Sequence, residues 1–207
     1  MDEQIDRENQ KVGTGFRPSL SFYHQNSEGT GCALKLELVP AVSGSGGYVF
    51  ATFAQQLTVA SKGGSGKGAK ATFDWKNAII VKLDIGDLTE MIMVFRGVRE
   101  SIEDGKGLYH ESDRAVTIIR LEHLIEPVPA YRFGASRKLK SGDGVKRISI
   151  LLSVAESLSL SLSLESMLGI IAFGIPKDPP RQIQPERSVN YTKGTRPAGD
   201  IDVRMRL

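Results

Sequence analysis

Cysteine is close to absent from this chain: Cys32 is the only one among 207 residues. A single thiol excludes an internal disulfide framework and a cysteine-based zinc site. Histidine is scarce too, and His24, His110 and His123 show no metal-ligand spacing. The formal net charge is only +3, so the overall balance does not mark a nucleic-acid binder. The most apolar stretch, 154–176, is interrupted by Ser157, Ser159, Ser161, Ser163 and Ser166 and by Glu156 and Glu165. That is too polar to span a bilayer comfortably. The opening decapeptide, MDEQIDRENQ, lacks the apolar centre of a signal peptide and the Arg-rich, acid-poor look of a transit peptide. These absences predict a soluble, non-secreted, cytoplasmic protein with no membrane contact.

Catalytic motifs are missing as well. Gly63-Gly-Ser-Gly-Lys67-Gly68 resembles a phosphate loop, but Ser61 stands where its first Gly should be. Gly68 stands where Ser or Thr should reach the metal. No G-x-S-x-G elbow occurs. Cys32 falls on the apolar face of a predicted strand, where a free Cys acts as a small hydrophobe. Asp84 and Asp87 form a possible carboxylate pair, but helix capping accounts for Asp87. The chain therefore reads as a non-enzyme with no metal, no cofactor and no small-molecule substrate.

Charge is present, but segregated. Residues 62–82 carry Lys62, Lys67, Lys70, Lys76 and Lys82 against Asp74. Residues 132–147 carry Arg132, Arg137, Lys138, Lys140, Lys146 and Arg147 against Asp143. Between them, residues 84–104 are acidic. Two basic segments sharing a surface would make a field that attracts phosphates; separately they are solvated strand edges and loops.

The periodicity is mostly that of β-strands. Cys32, Leu34, Leu36 and Leu38 alternate with Lys35 and Glu37, which predicts a half-buried strand. Residues 48–56, 71–75 and 78–83 read as three further strands. A helix follows, with Asp87 as cap, Glu90 three residues on, and Leu88, Met91, Ile92 and Phe95 as its apolar stripe. The second half repeats the plan. Residues 107–110, 116–124, 130–137 and 145–152 read as strands. Ser153 and Glu156 then form a capping box ahead of a helical face of Leu160, Leu164, Met167, Leu168 and Ile171. The fold class predicted is α+β: two four-stranded antiparallel β-sheets, each followed by a helix. A polar segment 1–19 and a Pro-rich basic tail 177–207 flank the domain 20–176; their composition predicts disorder for the first and an extended arm for the second.

The run Phe73-Asp-Trp75, followed by an apolar strand and the Leu88-Thr-Glu90 helix start, resembles the plant Whirly proteins. Gly31-Cys-Ala-Leu34 is similar to the end of that family's Lys-Gly-Lys-Ala-Ala-Leu signature. Leu108-Tyr-His-Glu111 and 149–174 are similar to its later segments. Gly29 and Gly31 stand where the signature has lysines, and Lys35 is the nearest replacement. The resemblance implies the ββββα-ββββα Whirly fold, shared with kinetoplastid guide-RNA-binding proteins and positive-cofactor-type transcription coactivators. It also implies binding of single-stranded DNA or RNA, without a cofactor, by a homo-oligomer (dimer or tetramer) acting in DNA maintenance or transcription.

A sheet suits single strands because every base has a face to stack and every phosphate a cation to meet. The candidate binding residues are the cations Lys35, Lys76, Lys82, Arg132, Arg137 and Lys138, with Phe50 and Tyr131 as stackers. Tyr48, Phe50 and Thr52 share one face of their strand and Phe53 and Gln55 the other; one of the two faces must be core. Trp75 is expected in the core. The alternative is a protein-interaction scaffold on the same fold without nucleic-acid binding.

Overall fold

The computed structural model describes residues 18–42, 45–61 and 68–175. The N-terminal segment up to residue 17, the Gly-Lys-Ser loop 62–67 and the tail 177–207 lie outside the described residues.

Alternating apolar residues build two antiparallel sheets. Sheet 1 contains β1 (Ser19–His24), β2 (Cys32–Val39), β3 (Tyr48–Thr58), β4 (Thr72–Phe73) and β5 (Ile79–Leu83). The path runs β1-β2-β3-β4, and β5 also pairs with β3. Sheet 2 runs β6 (Leu108–Glu111), β7 (Ala115–Leu124), β8 (Ala130–Leu139) and β9 (Val145–Ser153) in sequence order. Each sheet is followed by a helix, α1 (Ile85–Phe95) and α2 (Val154–Phe173).

The expected architecture is present, with one extra strand in sheet 1. Ser19-Leu-Ser-Phe-Tyr-His24 pairs along its full length with β2, from Ser19 opposite Glu37 to His24 opposite Cys32. The strand expected at 71–75 shrinks to two residues. Asp74 ends it by accepting a hydrogen bond from the Asn77 backbone N–H at 3.1 Å, and Trp75–Asn77 form a single 3-10 turn.

Register assigns the faces. Cys32, Leu34, Leu36 and Leu38 point inward with Val49, Ala51, Phe53, Ile79, Val81 and Leu83. In sheet 2 the inward set includes Ile119, Leu121, Tyr131, Phe133, Ala135, Ile148, Ile150 and Leu152. The two sets meet in one core, where the Phe53 and Phe133 rings pack edge to face with centroids 5.0 Å apart. Such contacts add to the area term of burial.

Both helices close over this core. α1 begins three residues earlier than the sequence suggests. Asp84 is its cap, and Asp87 completes a capping box by accepting from the Asp84 N–H at 2.9 Å. α2 has the expected Ser153–Glu156 box. By length and composition α2 is apolar enough to cross a membrane. Here Leu160, Leu164 and Ile171 use one side of it as core. Arg96 at the end of α1 grips Glu165 on α2 with two hydrogen bonds of 2.7 and 2.6 Å.

Candidate nucleic-acid interface

The outer face of sheet 1 presents the side chains that register leaves out of the core. Row by row it carries Tyr23, Ala33 and Ala54; then Ser21, Lys35, Thr52 and Ile80; then Ser19, Glu37, Phe50 and Lys82; then Val39 and Tyr48. The ambiguity in β3 is thereby settled: Phe53 is fully buried, and Tyr48, Phe50 and Thr52 face outward.

One end of this face is a cluster of rings. Tyr23 and Phe73 have centroids 5.6 Å apart, and Trp75 lies 6.4 Å from each. Tyr23 stands opposite Ala33 and Ala54, small residues that leave room for rings over the sheet. Tyr23 is 58% exposed and Trp75 38% exposed. Trp75 is thus a surface residue, contrary to the core position expected for it. The cause is the Asp74 cap, which turns the chain out of β4 before Trp75 can point inward. The Lys35 ammonium lies 5.8 Å from the Trp75 ring centroid and 3.0 Å from Glu37. A hollow of about 680 Å³ adjoins the rings, with Ser61, Lys70 and Thr72 on its other walls.

The opposite end is a second aromatic group. Tyr48 and Phe50 pack edge to face at 5.0 Å, and the Lys82 ammonium sits 4.3 Å from the Tyr48 centroid. From Ala33 to Val39 is six strand residues, so the two groups lie about 20 Å apart along the sheet at ~3.3 Å per residue.

Gln56 fixes the ring cluster from below. Its buried amide accepts from the Asn26 and Gly31 N–H groups and donates to the Asn26 and Thr58 carbonyls. Gly31 has no space for a side chain: a Cβ there would lie 2.2 Å from the His24 carbonyl oxygen and 2.3 Å from the Gln56 amide oxygen. Glycine at position 31 is therefore dictated by this turn.

The eight residues singled out from sequence divide three ways. Lys35, Phe50 and Lys82 share the outer face of sheet 1, with Lys76 exposed on the turn beside it. Arg132 and Lys138 lie on the outer face of sheet 2, where Arg132 is bound to Glu122 at 2.7 Å. Tyr131 and Arg137 face the other way. Tyr131 is 9% exposed, stacked on His123 at 4.5 Å and packed on Phe95 at 5.2 Å. It is a core residue rather than a stacker, because it shares the inward register of Phe133. Arg137 donates to the Thr117 hydroxyl at 3.0 Å and to the Ile80 carbonyl. Burial lowers its pKa, and it works as a tie between the sheets rather than a free cation. Lys146 makes a similar tie to the Asn77 carbonyl. Tyr23 was missed. Its only sequence signal was the alternation of the short Ser19–His24 strand, which a polar flanking segment obscured.

Cys32, His24 and His110 are held in structural contacts. Burial pushes the Cys32 thiol up to about 11, and the thiol donates to the Ser149 carbonyl at 2.9 Å. His110 and Asp87 pair at 3.3 Å, and His24 and Glu156 at 2.8 Å. These couples join strand to helix, and in each the carboxylate also completes its helix's capping box, Glu156 with Ser153 and Asp87 with Asp84. Among the described residues, no three or more His, Cys, Asp or Glu side chains converge as metal ligands.

Two antiparallel layers sharing one core, each followed by a helix and each leaving one face open, define an α+β fold of the Whirly type. Solved structures bear this out. WHY1 from Arabidopsis thaliana superposes with a TM-score of 0.57 at 18% identity, covering 78% of this chain and 89% of that one. The plant transcriptional regulator PBF-2 gives 0.55 at 18% identity, with 77% and 84% covered. Trypanosoma brucei MRP1/MRP2 gives 0.52 at 18% identity, with 81% and 90% covered. At such identity the likeness establishes the fold. The sequence matches no protein-family model and no curated protein.

Proposed function

We propose that this protein binds single-stranded nucleic acid, DNA ahead of RNA and largely without regard to sequence, across the open face of sheet 1. The observation that carries this reading is the Tyr23–Phe73–Trp75 cluster, with Tyr23 and Trp75 exposed and the Lys35 ammonium 5.8 Å from the Trp75 ring. Exposed rings offer stacking surface to any base, worth about 1–3 kcal/mol per base. Lys35, Lys76 and Lys82 lie beside the two aromatic groups to meet phosphates, Lys35 on parting from Glu37. A role in DNA maintenance or transcription is in keeping with the plant transcriptional regulator that shares the fold.

We also infer a homo-oligomer, a dimer or tetramer, assembled through α2. Leu158 is 59% exposed there and Phe173 91% exposed. Ser159, Ser163 and Ser166 turn their hydroxyls back onto helix carbonyls at 2.8–3.0 Å, which leaves that side short and apolar. A monomer by light scattering at micromolar concentration contradicts this assembly.

The test is fluorescence anisotropy with labelled single-stranded and double-stranded oligonucleotides at two salt concentrations. The expected result is tight single-strand binding, weak duplex binding and a clear loss with salt. The Lys35–Glu37 and Arg132–Glu122 pairs, which neutralise two of the cations, favour the alternative of a protein-interaction scaffold. Folded protein that binds no strand at low salt moves the assignment there.

A further inference from the structure

The outer face of sheet 2 has a different character. Tyr109 is its one aromatic among the described residues. At its centre is a hollow of about 150 Å³ lined by Arg120, Arg132, Arg147, Glu122, Ser136 and Ser149. Three guanidinium groups meet one carboxylate there, and Glu122 is already engaged by Arg132. Among the described residues Arg120 spends only its Nε, on the Gly105 carbonyl at 3.3 Å. Arg147 is exposed and makes no hydrogen bond or ion pair among the described residues.

The floor of the hollow is cut to be low. Gly134 lies opposite Arg120 on one side and Ser149 on the other. A Cβ at Gly134 would come within 2.7 Å of the Ser149 Cβ and 2.8 Å of the Ile148 carbonyl oxygen. The sheet pairs this position too closely for any side chain. The Ser136 and Ser149 hydroxyls flank it and make no hydrogen bond among the described residues. A polar floor of short hydroxyls with guanidinium forks above suits a phosphate oxygen cluster, since Arg matches phosphate geometry through paired N–H groups. It does not suit base stacking, for which this hollow offers no ring.

We propose that the sheet 2 hollow is a phosphate-binding site that grips the sugar-phosphate backbone of a bound single strand, separate from the ring cluster of sheet 1. The proposal rests on the single-strand reading above. It gives the two sheets different duties: rings on sheet 1 hold bases, and arginines on sheet 2 hold phosphates.

The experiment compares three full-length proteins by anisotropy over a salt series: the natural chain, Arg120→Gln/Arg147→Gln and Arg120→Lys/Arg147→Lys. In the natural chain, log affinity falls with log salt. The Gln pair is expected to flatten that slope by about 1.4, two phosphates at about 0.7 each. The Lys pair keeps the charge and is expected to keep the slope, which controls for folding. A peptide nucleic acid of the same base sequence, lacking phosphates, is expected to bind the natural chain and the Gln pair equally. An unchanged slope in the Gln pair, or weakened binding of the uncharged oligomer by it, overturns the proposal. If Tyr23→Ala/Trp75→Ala still weakens binding in that case, the single-strand reading stands without it. A natural chain that binds no strand fails at the earlier step.

Discussion

The two open sheet faces of this molecule have the same origin and different chemistry. Both are the outward registers of antiparallel strands whose inward registers share one core. Sheet 1 carries rings at both ends, each with a lysine within 6 Å of a ring centroid. Sheet 2 carries arginines around a floor of glycine and serine. A shared antiparallel architecture therefore says little about what each face can hold. That is decided by which residue types occupy the outward positions, and by single turns such as Asp74, which delivers Trp75 to the surface.

The comparison can be broken at its root. Phe53 and Phe133 join the two inward faces, and Phe53→Ala should cost about 3–5 kcal/mol in chemical denaturation. Both open faces should lose their order in one transition. Two separate transitions would show that the sheets are independent.

Next in size is the loss of the ring cluster. Tyr23→Ala/Trp75→Ala should weaken single-strand binding by about 1–3 kcal/mol for each base that loses its stack, a factor of roughly 5 to 150. Thermal stability should hardly change, because both rings are exposed. Tyr131→Ala should do the reverse, destabilising the fold through the lost Phe95 and His123 contacts. If Tyr131→Ala selectively removed binding in a stable protein, the assignment of faces would be wrong.

Arg137 sharpens the distinction between a tie and a ligand contact. Its guanidinium is turned to Thr117 and Ile80. Arg137→Met should cost about 1 kcal/mol per hydrogen bond lost and leave the salt slope of binding unchanged. A flatter slope would put Arg137 back among the phosphate contacts.

The smallest effect expected is a pH effect on the turn that presents Trp75. The Asn77 side-chain amide, hydrogen-bonded to the Asp74 carboxylate, lowers the pKa of Asp74, with the Asn77 backbone N–H, Lys146 and Lys76 assisting. A depressed folded-state pKa means that the stabilisation is fully present above the usual carboxylate range. It is lost as pH falls through the folded value. Trp75 is the only tryptophan, so its emission should be constant from neutral pH down to the usual range and shift below it. Asp74→Ala should show the shifted emission already at neutral pH.

Much of this fold was legible in the sequence. The alternation around Cys32–Leu38, the Ser153–Glu156 box and the Leu160–Leu164–Ile171 face are local patterns that tertiary packing obeyed. β1 was not legible, since its six residues carry two serines and a histidine and adjoin a polar segment. The site was half legible. Alternation sorted Phe50 from Phe53, but which set faced outward depended on where sheet 2 packs. Tyr131 and Arg137 were placed on the binding face because charge and aromaticity are visible in sequence and register across sheets is not. Trp75 was placed in the core because a strand was expected to continue through it, and one capping carboxylate ended that strand.

The central claim is that bases stack on the ring cluster of sheet 1. Titrating the protein with an unlabelled single-stranded oligonucleotide while following Trp75 emission tests it most directly. The account predicts saturable quenching by the single strand, reversed by added salt and absent with a duplex. Binding seen by anisotropy with unchanged Trp75 emission would contradict it.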